Sequence, residues 1–331
     1  MRPFSYAKAA TIEEAVGALD EGCRPLAGGT DLIGLMKRDL AAPERLVNVK
    51  TIPALRGVGK EEQGWRIGAL TTLSELAKLD AGKGPGELAV LSQAAAESAT
   101  PQLRHAATIG GNLLQRPRCW YFRNPLIRCW LKGGDRCFAA QGKNRYHAIM
   151  GGGPCYIVHP SDPAAALVAL DARVQLAGPE GRRELALADL FTGPRQSGGN
   201  EALSGETVAS VDELVAGLRI PTPDAGARGT YVKVAERAAW DFALVSAAVQ
   251  LRFEGDEVAG ARVVLGGVAA APWRAREAED ALVGEPLTSD VVEAAASAST
   301  AGAEPLSENG YKIPLIEGVV REALRRLEPA T

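Results

Sequence analysis

The sequence lacks any apolar run that approaches the ~20 residues needed to cross a bilayer. Its first residues, Met1 to Ser5, also lack the apolar segment of a secretory signal. We therefore expect no membrane insertion and, from the sequence alone, a cytoplasmic location. A periplasmic location would require export together with a partner that carries a twin-arginine signal.

Excess positive charge is also absent, since 37 Lys and Arg residues are offset by 40 Asp and Glu residues, for a net charge of −3. These charges are spread along the chain, which argues against nucleic acid as a partner. Only three histidines occur, at positions 105, 147 and 159, and they are too scattered to indicate a metal triad. The five cysteines are an odd number, and this argues against a disulfide framework.

Neither a G-x-G-x-x-G fingerprint nor a Walker loop is present, but two other glycine-rich stretches are. In Arg24 to Lys37, a short apolar segment runs into Gly28 and Gly29, and Thr30 or Asp31 is placed to cap a helix. The second stretch, Thr108 to Asn112, adds a hydroxyl, two glycines and an amide. Paired cradles of backbone N–H groups suit a pyrophosphate, although two ordinary glycine turns are an equally good interpretation of the spacing.

The 331 residues favour two domains, and the alternation of predicted strands and helices favours an α+β fold. Strands are predicted at 45–49, 65–70, 156–158, 229–234, 243–253 and 258–268, with a hairpin around 178–181. Helices are predicted after Thr72, at 87–98, and at 273–283, 288–300 and 314–327. Loops are predicted at 82–86 and in the Gly/Ser-rich stretch 195–210.

Residues 115–154 form an irregular stretch that is too long for an ordinary loop. Four cysteines, Cys119, Cys129, Cys137 and Cys155, lie in or beside it with the spacing C-x9-C-x7-C-x17-C, which matches neither a ferredoxin run nor a zinc ribbon. Four thiolates could hold a [4Fe–4S] cluster or a zinc ion and so pin the loop. The alternative to a bound metal is that these four residues are unrelated buried thiols. Cys23 lies outside this stretch, and we interpret it as a structural thiol.

The pair of motifs RPLAGGTDLIGLMK (24–37) and ATIGGNL (107–113) resembles the FAD-binding subunit of molybdenum hydroxylases. The resemblance continues through HPSDPAAALVALDA (159–172) and YVKVAERAAWDFALVSAAV (231–249), and therefore covers nearly the whole chain. It implies an FAD-binding domain of the PCMH type at 1–223 and, at 224–331, a domain like the C-terminal domain of carbon monoxide dehydrogenase flavoproteins.

The same resemblance implies noncovalent FAD and a set of residues that bind it. The expected cofactor-binding residues are Arg24, Pro25, Leu26, Ala27, Gly28, Gly29, Thr30, Asp31, Leu32, Thr108, Gly111, Asn112, Asp162 and Lys233.

Most members of this family follow the Gly-Gly-Asn turn with a Ser-Pro-x-x-Asp segment, which is replaced here by the insertion 115–155. In this respect the chain resembles 4-hydroxybenzoyl-CoA reductase and, more closely, the bacterial periplasmic-type aldehyde oxidoreductase. That similarity implies one [4Fe–4S] cluster on Cys119, Cys129, Cys137 and Cys155, and we take Asp162 as the substitute for the missing carboxylate.

The implied function is electron transfer within a molybdenum hydroxylase complex that oxidises aldehydes. The expected partners are a [2Fe–2S] subunit, a large molybdenum-cofactor subunit and an external electron acceptor. Two alternatives remain at this point: a stand-alone FAD oxidase of the vanillyl-alcohol type, and a zinc-stapled assembly module that binds a nucleotide.

Overall fold

The computed structural model describes residues 1–79, 86–194 and 206–328. Most of the predicted loops at 82–86 and 195–210 lie outside these ranges. Within them, helices and three separate sheets alternate, which confirms the α+β class.

A small parallel sheet opens the chain, with strand order β1-β3-β2. Thr11 caps the first helix by accepting a hydrogen bond from the backbone N–H of Glu14. The apolar face of that helix packs on this sheet and on one side of the five-stranded sheet of the same domain. The elements are β1 (Ser5–Lys8), α1 (Ile12–Gly17), β2 (Cys23–Leu26), α2 (Leu32–Lys37) and β3 (Arg45–Asn48).

A five-stranded antiparallel sheet of order β4-β5-β8-β6-β7 forms the centre of the first domain. Its helices include one that starts with the predicted capping box, in which Thr72 and Glu75 exchange hydrogen bonds. The elements are β4 (Val58–Glu61), β5 (Gly64–Gly68), α3 (Leu73–Leu76), α4 (Ala89–Glu97), α5 (Pro101–Ala106), α6 (Ile109–Leu113), α7 (Trp120–Arg123), α8 (Asp162–Ala169), β6 (Arg173–Gly178), β7 (Gly181–Ala186) and β8 (Leu214–Pro221).

The last third of the chain is a four-stranded antiparallel sheet of order β12-β11-β10-β9 covered by helices. Its elements are β9 (Ala227–Val234), β10 (Val245–Glu254), β11 (Glu257–Gly266), β12 (Trp273–Arg274), α9 (Arg276–Asp280), α10 (Ser289–Ala298) and α11 (Lys312–Arg325). Tyr231, Ala248 and Val264 of this sheet belong to the same buried cluster as α4 and α8. The two sheets are therefore joined by a shared apolar core.

Two predicted elements are wrong. Residues 156–158 are not a strand, because the carbonyl of Tyr156 accepts from the backbone N–H of Ala148 and no strand among the described residues pairs with the segment. The predicted helix at 273–283 begins instead as β12, whose Trp273 and Arg274 pair with β11, and only residues 276–280 are helical.

The far end of the cysteine-rich insertion is held by the C-terminal domain. Asn144 accepts from the backbone N–H of Glu308 (2.8 Å) and donates to Ser307 (3.0 Å). Lys312 at the start of α11 is fully buried and donates to the carbonyl oxygens of His147 (3.0 Å) and Gly267 (2.7 Å). Desolvation lowers the pKa of Lys312 to about 7.

This burial predicts a specific pH dependence of stability. Between about pH 7 and the ordinary lysine pKa of 10.5, the unfolded chain binds one more proton at Lys312 than the folded chain does. The free energy of unfolding should therefore rise with pH across this window, relative to the Lys312→Met variant, by about 1 kcal/mol per pH unit.

Urea unfolding of both proteins at pH 7.5 and 9.5 measures this difference. Lys37 is exposed, and Lys37→Met is the matched control. Because this variant keeps Lys312, the difference between its free energy of unfolding and that of the wild type should not change with pH. Parallel behaviour of wild type and Lys312→Met at the two pH values would contradict the prediction.

Candidate functional site

The two glycine motifs lie side by side because Gly28 passes directly against the end of α5. A Cβ at Gly28 would stand 1.9 Å from the carbonyl oxygen of Ala106, so only glycine fits. Gly29 has a φ of +70°, which other residues adopt with strain. Thr108 caps α6 by accepting from the N–H of Gly111. The predicted proximity of the two turns is present.

Both turns line one cavity of about 230 Å³, here called the cradle cavity. All of the predicted residues from Arg24 to Leu32 border it, and so do Thr108 and Gly111. Buried Arg116 adds a guanidinium group, which favours an anionic ligand. The other lining residues that sequence reasoning did not assign to a ligand include His159, Glu206, Leu214 and Val215.

Asp31 connects the cradle to the cysteine-rich insertion. Its carboxylate accepts from the backbone N–H of Arg116 (2.8 Å) and from Arg123 (2.8 Å), and Arg118 lies 3.0 Å away. Asp31 occupies the N-cap position of α2 but makes no capping hydrogen bond, because these donors take its oxygens. The predicted cap is therefore wrong for Asp31, which binds the insertion instead.

Asn112, Asp162 and Lys233 do not line the cradle cavity. The Asn112 side chain faces outward from α6, and its Oδ1 contacts the hydroxyl of Ser161, the residue that caps α8. The amide of Asn112 thus helps to hold the start of the next helix.

Asp162 and Lys233 form a buried ion pair of 2.8 Å between the two domains. Asp162 also accepts from Tyr231 (2.8 Å) and from Ser98 (3.1 Å). Burial and the nearby Asp162 carboxylate raise the pKa of Tyr231 well above its ordinary value. This network joins α4, α8 and β9, so both predicted residues help to fix the domain arrangement.

Asp162 borders a second cavity of about 560 Å³, here called the interdomain cavity. Aromatic and charged side chains from both domains surround it. The lining residues are Arg118, Cys119, Trp120, Tyr146, His147, Val158, His159, Pro160, Ser161, Asp162, Glu236, Arg237, Asp241, Phe242, Ala243, Leu244, Ser246, Gly266 and Gly267.

Cys119, Cys129, Cys137 and Cys155 all line one small apolar cavity inside the insertion, here called the cysteine cavity. His147 also lines it, with Nε2 3.2 Å from the Cys119 sulfur. All five cysteines are free, and Cys23 lies apart in the N-terminal core. The four predicted cysteines, which lie far apart in the insertion, are therefore brought together at one cavity.

Backbone N–H groups approach each of these four sulfurs. The donors belong to Tyr121 and Phe122 at Cys119, to Leu131 and Lys132 at Cys129, to Ala139, Ala140 and Tyr156 at Cys137, and to Ile157 at Cys155. The hydrogen bond from the Cys155 thiol and these backbone groups lower the pKa of Cys137 to about 6. Burial raises the pKa of Cys119 to about 11.

Within the described ranges, no group of three or more His, Cys, Asp or Glu side chains is arranged to hold a metal ion. Cys119, Cys129, Cys137 and Cys155 all border the cysteine cavity, whose volume is about 10 Å³. The expected [4Fe–4S] cluster therefore stays a prediction.

Most of the chain matches known protein families. Residues 2–223 match the FAD binding domain in molybdopterin dehydrogenase, and residues 230–327 match the CO dehydrogenase flavoprotein C-terminal domain. The aldehyde oxidoreductase FAD-binding subunit PaoB of Escherichia coli is 36% identical over 98% of both chains. The carbon monoxide dehydrogenase medium chain of Afipia carboxidovorans is 30% identical over 98% of this chain and 96% of its own.

Solved structures agree with these sequence matches. The reconstituted CO dehydrogenase from Oligotropha carboxidovorans superposes with a TM-score of 0.76 and 28% identity over 98% of both chains. The chain therefore belongs to the FAD-binding medium subunits of the molybdenum hydroxylase family, which are oxidoreductase subunits. The stand-alone oxidase alternative is set aside on this ground.

The close approach at Gly28 predicts the effect of a single methyl group. Gly28→Ala should displace the turn from the Ala106 carbonyl and lower FAD retention at least tenfold. Gly34→Ala in α2 is the matched control, because a Cβ there meets nothing within 4 Å and Ala favours the helix. The FAD content of the purified variants, measured from the visible spectrum after acid release, checks this. Equal FAD content in the two variants would contradict it.

Proposed function

We propose that this chain is the FAD- and [4Fe–4S]-containing electron-transfer subunit of a molybdenum hydroxylase complex that oxidises aldehydes to carboxylic acids. The aldehyde class follows from its similarity to PaoB, an aldehyde oxidoreductase subunit. The observation that supports the rest is that the three cavities adjoin one another. His159 borders both the cradle and the interdomain cavities, and Cys119 and His147 border both the interdomain and the cysteine cavities.

The cradle cavity can receive part of the FAD that the family binds. Its first turn leaves no room for a side chain at Gly28, so a ligand can approach the backbone there. Arg24 borders the cavity, and Arg116, which pairs with Glu206 at 2.7 Å, keeps a buried Nη1 with no hydrogen-bond partner among the described residues, so it can donate to a pyrophosphate. When bound, FAD supplies exchange of one or two electrons. The residues of this chain bind it, orient it and exclude water from it.

The cysteine cavity supports the proposed [4Fe–4S] cluster. Four cysteines border one small apolar space, and four is the number of thiolate ligands that a [4Fe–4S] cluster takes. Backbone N–H donors at each sulfur would stabilise thiolate charge. Cys119, Cys129, Cys137 and Cys155 would hold the cluster.

Three of the insertion's arginines do not serve the sulfurs. Arg116 pairs with buried Glu206 at 2.7 Å, and Arg118 and Arg123 bind Asp31. Their contribution is therefore to the cradle and to its junction with the insertion.

The proposed partners are a [2Fe–2S] subunit and a large molybdenum-cofactor subunit, with electrons leaving to an external acceptor. The sequence contains no ferredoxin-like cysteine run and no molybdopterin motif, so substrate oxidation is assigned to the partners. No helix among the described residues is long and apolar enough to cross a membrane. We further propose a cytoplasmic location, or a periplasmic one if a partner that carries a twin-arginine signal exports the chain.

The cluster assignment predicts unequal effects of two cysteine substitutions. Cys119→Ser should lose the iron and loosen the insertion, since one of four ligands is gone. Cys23→Ser, the matched control, should keep wild-type iron because Cys23 lies in a different core. Anaerobically purified wild type should contain about four iron and four sulfide per chain. Stoichiometric zinc without iron would instead support the assembly-module alternative.

The proposed complex predicts a functional requirement for partners. Coexpressed with its two subunits, the chain should form a stable assembly in which aldehyde addition bleaches the flavin absorbance. The isolated chain should bind FAD but oxidise no aldehyde. Turnover of an alcohol or phenol with oxygen by the isolated chain would overturn the assignment.

A further inference from the structure

We propose that His159 is a cofactor-positioning residue. Its neutral imidazole forms a hydrogen bond with FAD where the dinucleotide passes from the cradle cavity into the interdomain cavity. The inference rests on the proposed FAD site and adds a residue that the glycine motifs do not include.

The position of His159 is the first observation. Among the described residues, it is the only one that borders both the cradle cavity and the interdomain cavity. A cradle cavity of about 230 Å³ is smaller than usual small-molecule sites, and FAD is a large ligand. The neighbouring space of about 560 Å³ can receive the remainder. The His159 side chain therefore lies next to any ligand that occupies both spaces.

The second observation is the unsatisfied imidazole. His159 is only 8% exposed, and its Nε2 is buried without a hydrogen-bond partner among the described residues. An orphaned buried polar group costs about 1–3 kcal/mol, and native proteins contain few of them. This nitrogen exposes almost no surface to either cavity, so a ligand that supplies its missing partner reaches it through a small shift of the ring.

The ring is also held in place. The backbone N–H of His159 donates to the carbonyl of Ala269 (2.9 Å), and the imidazole centroid lies 4.5 Å from the Phe191 ring. The contact between Ser161 and Asn112 fastens the same segment to the second glycine turn. The imidazole is therefore positioned before any ligand arrives, which lowers the entropic cost of the bond.

The imidazole is neutral near physiological pH. Burial alone lowers the pKa of His159 to about 3, and no charged group opposes this shift. A neutral ring carries one donor and one acceptor nitrogen, so it can bond a polar atom of the cofactor without adding charge. The anionic pyrophosphate would instead bind the first glycine turn and the arginines of the cradle cavity.

The test compares FAD binding by the full-length apoprotein and its variants. His159→Phe keeps an aromatic ring against Phe191 and removes both nitrogens. It should weaken FAD binding about tenfold, the equivalent of one hydrogen bond of about 1.4 kcal/mol. His159→Gln, whose amide can replace the ring donor, should recover most of the affinity. His105→Phe at an exposed position is the matched control and should bind like wild type.

A second readout uses the wild-type chain and does not depend on variant folding. With only three histidines in the sequence, ¹⁵N-histidine NMR resolves each ring. FAD addition should shift the His159 Nε2 resonance and leave the exposed His105 unchanged. Tight FAD binding by His159→Phe, or an unchanged His159 signal in FAD-saturated wild type, would overturn the inference. A wild-type chain that binds no FAD would instead overturn the proposed function.

Discussion

The close packing of Gly28 against the carbonyl of Ala106 is the constraint on which the site depends. A methyl group would stand 1.9 Å from that oxygen, so the chain can bring the two glycine turns together only with hydrogen at this position. Once the turns are adjacent, both of them border one cavity together with Arg24 and Arg116. Loss of this contact would separate the two halves of the cradle even if every other residue remained.

The Asp31 carboxylate extends that constraint to the insertion. It binds the backbone of Arg116 and the side chains of Arg118 and Arg123, so the cradle and the cysteine-rich segment hold each other in place. The other end of the insertion is fixed by Asn144 and Lys312 contacts with the C-terminal domain. The four cysteines therefore lie in a segment that is anchored on both sides, between the cradle cavity and the C-terminal domain.

A polar network then sets the relation between the domains. Asp162 and Lys233 pair in a buried position, where breaking a pair by removing one partner typically costs several kcal/mol. Tyr231 and Ser98 satisfy the remaining oxygen positions of Asp162. The same segment places His159 between two cavities. The packing of the two domains and the position of His159 between the two cavities thus both depend on one short stretch, residues 159–162.

The sequence by itself indicated the α+β class, the two glycine turns and the group of four cysteines, because these depend on residue type and short-range spacing, and its motifs resembled the family. Cap and hairpin signals placed most elements, whereas 156–158 failed as a strand because pairing depends on distant neighbours. Only the tertiary structure decided how side chains were used. It turned Asp31, Asn112, Asp162 and Lys233 toward protein partners and placed His159 between the cavities, since such contacts join residues far apart in the chain.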